Sequence, residues 1–194
     1  MDAFDTEITS QEKLKVLCLD RNALTALPEK MKEWTPKLEE LMVRHNQLSE
    51  LASDTMPSSL QVLHISSNQL THLDALIKES VTSHCPNLTH LYANANQLTS
   101  LPMGIVSAHE QLQRLVISHN DTLAQLPDEL WQKIDECGDN GNESDDDEGD
   151  NASGGCVILW QPNPTLKKPG TDFEGEDSDG KAPGEQEMDQ TMEE

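Results

Sequence analysis

The chain has 194 residues, a formal net charge of −23 and 3% aromatic side chains. That length accommodates one domain of roughly 150 residues with appended tails. Its thirteen lysines and arginines form no cluster, which argues against direct nucleic-acid binding, and no apolar run approaches a membrane span, so membrane insertion is not expected.

Residues 1–13 are read as an N-terminal cap. Their start, Met1-Asp2-Ala3-Phe4-Asp5, is acidic where a secretory signal is basic and then apolar. The expected location is therefore cytoplasmic, with a nuclear one left open, and Cys18, Cys85, Cys137 and Cys156 are expected to be free thiols. On that footing the Asn-x-Ser/Thr sequons at Asn87, Asn120 and Asn151 are coincidental, because two of them fall inside a repeated phrase.

That phrase begins at residue 14. Leucine stands at its first and fourth positions, an apolar residue at the sixth, asparagine at the ninth and leucine at the eleventh. It runs Leu14-Leu17-Leu19-Asn22-Leu24, then Leu38-Leu41-Val43-Asn46-Leu48, Leu60-Leu63-Ile65-Asn68-Leu70 and Leu88-Leu91-Ala93-Asn96-Leu98. A fifth copy, Leu112-Leu115-Ile117-Asn120-Leu123, has one more residue after its asparagine. The first leucines are 24, 22, 28 and 24 residues apart. Alternation around the fourth and sixth positions makes a short strand. The remaining leucines turn inward, so one coil has an apolar interior but no lid, and its neighbours supply the lid. The asparagine offers donors and an acceptor where the backbone turns inward and loses its strand partners.

Between the phrases, Leu27-Pro28-Glu29-Lys30-Met31 and Leu126-Pro127-Asp128-Glu129-Leu130-Trp131 each read as a proline entering a helical turn. Residues 74–83, with Leu73, Leu76, Ile77 and Val81 at helical spacing, predict a helix. Trp34 and Trp131 lie in such segments and are read as core. Residues 138–155 hold seven acids and no base and are expected to be a disordered acidic insertion. Within it Ser144, followed by Asp145-Asp146-Asp147-Glu148, is a candidate phosphorylation site for an acidophilic kinase. Residues 156–170 are read as a sixth repeat or a C-terminal cap. Aligning Asn163 with Asn120 sets Ile158, Trp160 and Leu166 onto Leu115, Ile117 and Leu123. Residues 171–194, with ten acids against Lys181, are expected to be a disordered acidic tail.

These phrases resemble the leucine-rich-repeat family. The resemblance implies an α/β solenoid with a curved parallel sheet on the concave side and short helices and turns on the convex side. It would comprise five coils over 14–137 and a sixth downstream. It also implies a non-catalytic, cofactor-free, monomeric module that binds proteins. Among its members the chain is similar to intracellular adaptors, including phosphatase regulatory subunits and Ras-pathway scaffolds. The alternative is an acidic-tailed repeat protein similar to the nuclear phosphoproteins that act as histone chaperones or phosphatase regulators, although this tail is broken by Gly, Pro, Gln and Met. No phosphate-cradling glycine loop, metal-ligand spacing or nucleophile with its base is visible.

The third, fifth, seventh and eighth positions of the phrase point to the concave face. In chain order they are Val16, Cys18, Asp20 and Arg21; Glu40, Met42, Arg44 and His45; Val62, His64, Ser66 and Ser67; His90, Tyr92, Asn94 and Ala95; Arg114, Val116, Ser118 and His119. A sixth coil adds Val157, Leu159, Gln161 and Pro162. All three arginines, the single tyrosine and four of seven histidines fall there, and none of the ten lysines does. Arginine and tyrosine are enriched at interface hot spots and lysine is depleted. The candidate protein-binding residues are therefore Arg21, Met42, Arg44, His45, His64, His90, Tyr92, Asn94, Arg114, Val116 and His119. With only Asp20 and Glu40 opposing the arginines, this face predicts a neutral to acidic partner surface.

Overall fold

Each recurrence of the phrase contributes one three-residue strand to a single parallel sheet in the computed structural model, which describes residues 11–52, 55–79, 82–137 and 157–166. The strands are β1 (Val16–Cys18), β2 (Glu40–Met42), β3 (Val62–His64), β6 (His90–Tyr92), β7 (Arg114–Val116) and β8 (Val157–Leu159), adjacent in that order. The central residues Leu17, Leu41, Leu63, Leu91, Leu115 and Ile158 stand in one register row. Ile158 thus lies opposite Leu115, as the alignment of Asn163 with Asn120 predicts, and a sixth strand completes the sheet. The first ten residues of the expected cap, the insertion 138–155 with Ser144, Cys156 and the tail 171–194 lie outside the described residues.

The inward leucines make one continuous core. Leu38, Leu41, Leu48, Leu60, Leu63, Leu70, Leu88, Leu91 and Leu98 are fully enclosed, each worth about 1.5–3 kcal/mol of burial. Leu14, Leu17, Leu19 and Leu24 are only partly buried, because among the described residues the first coil is covered on one side alone.

The asparagines form the expected ladder. Asn68 Nδ2 donates to Ile65 and Ser66 of its own coil and to Val43 of the coil before, while its Oδ1 accepts from Leu48 N–H at 3.0 Å. Asn46, Asn96 and Asn120 repeat this pattern towards Leu24, Leu70 and Leu98. Asn163 differs, because its Oδ1 accepts from the N–H of Asn120 itself. The extra residue after Asn120 explains the change: Leu123 N–H turns back onto Asn120 O, as Leu166 N–H does onto Asn163 O.

The residue before each of the first five asparagines is left-handed without being glycine. Arg21, His45, Ser67, Ala95 and His119 have φ between 53° and 56°. This turn swings the following carboxamide inward, and it costs a residue with a Cβ roughly 1 kcal/mol. In the sixth coil Pro162 occupies the equivalent position, after a cis Gln161–Pro162 bond.

On the convex side both proline turns lead into helices, α1 (Met31–Trp34) and α2 (Asp128–Cys137). Trp131 is core and meets Trp160 edge-on at 5.4 Å, whereas Trp34 is only half-buried. The helix expected over 74–83 is not formed. Asp74–Leu76 make a short 3-10 turn, followed by an antiparallel pair, β4 (Ile77–Glu79) and β5 (Thr82–Ser83). Ile77 and Thr82 are β-branched and favour extended backbone. Ser83 Oγ and His84 N–H both reach Leu76 O, which closes the chain there.

Candidate functional site

The parallel register turns the concave positions into rows that cross the strands. Val16, Glu40, Val62, His90, Arg114 and Val157 form one row; Cys18, Met42, His64, Tyr92, Val116 and Leu159 form the next. Neighbouring strands lie about 4.8 Å apart, so the side chains of a row stand beside their counterparts on adjacent strands.

In the middle coils those contacts are aromatic and cationic. The His64 ring stacks on Tyr92 with centroids 4.2 Å apart and planes within 8°. From the other flank the Arg114 guanidinium carbon lies 5.9 Å from the Tyr92 centroid, within cation–π range. His90 is farther off, at 6.3 Å. Ser66 Oγ donates to Asn94 Oδ1 at 2.6 Å, which fixes the carboxamide orientation.

These side chains surround a cavity of about 260 Å³. Seven of the eleven candidate residues line it: Arg44, His45, His64, Tyr92, Asn94, Arg114 and Val116, joined by Ser66, Ser67 and Leu159. Arg21, Met42, His90 and His119 do not. Arg21 and His119 are exposed at the left-handed edge positions, and Met42 lies beside Arg44, its sulfur 3.8 Å from Nη2.

The charges are less available than the sequence suggests. Asp20 accepts from both Arg44 N–H and Arg44 Nε, at 2.6 and 2.9 Å. Glu40 Oε1 is 4.0 Å from His64 Nε2, a charged pair only when the imidazole is protonated. Arg114 is different, because its Nε is buried and has no hydrogen-bond partner among the described residues.

One polar cluster away from this face escaped sequence reasoning. Ser83 Oγ is 2.6 Å from His109 Nε2, His109 Nδ1 is 2.8 Å from Ile105 O, and Cys85 Sγ is 3.8 Å from the same imidazole. Burial lowers the His109 pKa against the opposing pull of the Ile105 carbonyl. Burial likewise raises the Cys85 thiol to about 11, partly offset by its hydrogen bond with Ser83. With His109 and Cys85 sealed from solvent, the set offers no position for a reacting group. Its members lie outside the repeated phrase, so no periodicity marks them.

Residues 36–98 match a family model described as leucine rich repeat. The chain is similar to epiphycan of Mus musculus, 29% identical over 122 residues, which cover 63% of this chain and 36% of that protein. It is 30% identical over 109 residues to transforming growth factor beta activator LRRC33 of Danio rerio, covering 55% and 16%. Podocan-like protein 1 of Homo sapiens is 30% identical over 128 residues, covering 64% and 24%. The chain therefore spans about a third or less of the length of these curated relatives.

These relatives are extracellular-matrix or membrane-associated proteins. That finding overturns the cytoplasmic or nuclear location expected from the acidic start. Charge in the first few residues describes that stretch alone and is a weak guide to compartment. The coincidental reading of the sequons loses its premise with it. Asn120 is enclosed in the ladder, while Asn87 is exposed and donates to Ser58 O at 2.9 Å.

Proposed function

Because the chain belongs to the leucine-rich-repeat proteins, which are typically non-enzymatic binding modules, we propose that it is an adaptor or regulatory module that takes a protein partner on its concave face. The observation that supports this reading is the convergence of Arg114, Tyr92, His64 and Asn94 around one cavity. Large planar side chains held by stacking lose little entropy on contact, which is the character of hot-spot residues. The binding unit comprises residues 14–137 and 156–170, with 138–155 and 171–194 as acidic appendages. It acts as a monomer without a cofactor, and the partner surface is neutral to acidic.

The test is affinity capture from a tissue extract, comparing the wild-type chain with the Tyr92→Ala, Arg114→Glu double variant. Glu110→Lys, at an exposed position ahead of β7, serves as the control. Arg44 is left intact because its contact with Asp20 would confuse folding with binding. Partners lost from the double variant and kept by the control support the concave face. Retention of every partner removes that reading. Loss on deletion of 171–194 instead moves the contact to the acidic tail, the chaperone-like alternative.

A further inference from the structure

We propose that the cavity receives a single carboxylate side chain from an acidic segment of the partner protein, with Arg114 as its counter-ion. This rests on the concave-face reading above and adds the chemistry that the face recognises.

The three arginines of the chain occupy three different situations. Arg44 is held by Asp20 through its backbone and its Nε. Arg21 is exposed on the first coil, away from the cavity. Arg114 lines the cavity, lies over Tyr92 and keeps a buried Nε with no acceptor among the described residues. A buried donor without a partner carries a penalty, and an acceptor entering the cavity relieves it. Carboxylate is the matching group, since its two oxygens fit the guanidinium fork.

The walls suit that group. Ser66 occupies the Asn94 carbonyl oxygen, which leaves the Asn94 amide N–H groups as donors at the rim. Buried Val116 and Leu159 close the far side with apolar surface, and a charge pair is stronger where water is excluded. The size of the cavity suits one protruding side chain, not a folded element. The formal charge of −23 on the whole chain opposes a polyanion such as a sulfated glycan, whereas one carboxylate within a modest acidic segment meets less repulsion.

The three arginines make the experiment direct, because each supplies one side-chain Nε–H signal in a nitrogen-15 correlation spectrum, assignable with Arg→Lys variants. The full chain at physiological salt is titrated with the peptide acetyl-Ala-Glu-Ala-amide, its Gln counterpart and a heparin oligosaccharide. The expected result is a saturable shift of the Arg114 signal with the Glu peptide and none with the Gln peptide, while the Arg44 signal stays in place. Arg114→Gln, followed through the Asn94 amide, weakens the Glu peptide at least about tenfold. Equal drift of all three signals indicates general screening and overturns the proposal. A saturable response to heparin alone also overturns it and assigns the site to a sulfated glycan. No Arg114 response, combined with partner loss in the Tyr92→Ala, Arg114→Glu capture, leaves the concave face standing and removes only the carboxylate.

Discussion

Asp20 grips Arg44 through both oxygens of one carboxylate, taking the backbone N–H of Arg44 at 2.6 Å and its Nε at 2.9 Å. The contact joins the first coil, whose leucines are only partly buried, to the second. Arg44 therefore has a structural task on the face that would otherwise be assigned to binding. In a double-mutant cycle of Asp20→Asn and Arg44→Gln, urea unfolding should give a coupling of about 1 kcal/mol, since both side chains retain solvent contact. Strict additivity of the two substitutions would refute the clamp.

The asparagine ladder predicts a gradient along the solenoid. Asn68 satisfies backbone groups of two coils in a buried setting, whereas Asn22 is exposed and, among the described residues, bonds only Leu19 O and Asp20 O. Asn68→Ala strands a buried N–H and several carbonyls and should lower stability by about 2–4 kcal/mol. Asn22→Ala should lower it by less than about 1 kcal/mol, because water takes over. Chemical denaturation of both variants measures the contrast, and equal losses would mean that the ladder does not carry stability as described.

His109 is held neutral by burial, so its pKa in the folded chain lies below the ordinary 6.5. Below that ordinary value the unfolded chain binds more protons, and folding loses ground. The contribution is complete above about 6.5 and declines as the pH falls towards the folded value, below which it levels off. Unfolding midpoints of wild type and His109→Gln, taken at a series of pH values, should show the wild-type advantage shrinking as the solution is acidified. A constant difference would contradict the buried neutral imidazole.

Cys18 and Cys85 should separate cleanly in reactivity. Cys18 is exposed, while Cys85 is enclosed and its thiol is raised to about 11. Only the thiolate reacts with iodoacetamide, so peptide mapping at mildly alkaline pH should find Cys18 modified first and Cys85 modified only after denaturation. The same shift makes stability decline as the pH rises from 9.0 to about 11, because the unfolded thiol ionises first. Comparable labelling rates at the two residues would show that Cys85 is not sealed.

The leucine and asparagine spacing made the sheet legible, down to the pairing of Ile158 with Leu115, because those residues serve the fold and recur with its period. The concave rows were legible for the same reason, since alternation alone assigns Tyr92 and Arg114 to one face. What the side-chain heads do across the rows was not legible. Nothing in the spacing says that Asp20 reaches Arg44 or that Arg114 rests over Tyr92. The segment 74–83 misled because Leu73, Leu76 and Ile77 fit a helical stripe as well as an inward turn followed by a strand. Its β-branched residues and Ser83 decide for the second. The location was misjudged because no consensus position of the repeat records it.

The separation of the fifth and sixth coils has a consequence for how such a chain can change. Asn163 meets Asn120 across 43 residues, whereas Arg44 meets Asp20 across 24. In a chain-closure estimate that difference amounts to about 0.5 kcal/mol. The sixth strand holds its place through ladder bonds and carboxamide contacts, not through the length of what precedes it. The junction after α2 is therefore a site of low resistance to growth. Segments of different length and charge can be exchanged there while the sheet stays in register, so new traits can be acquired without rebuilding the scaffold.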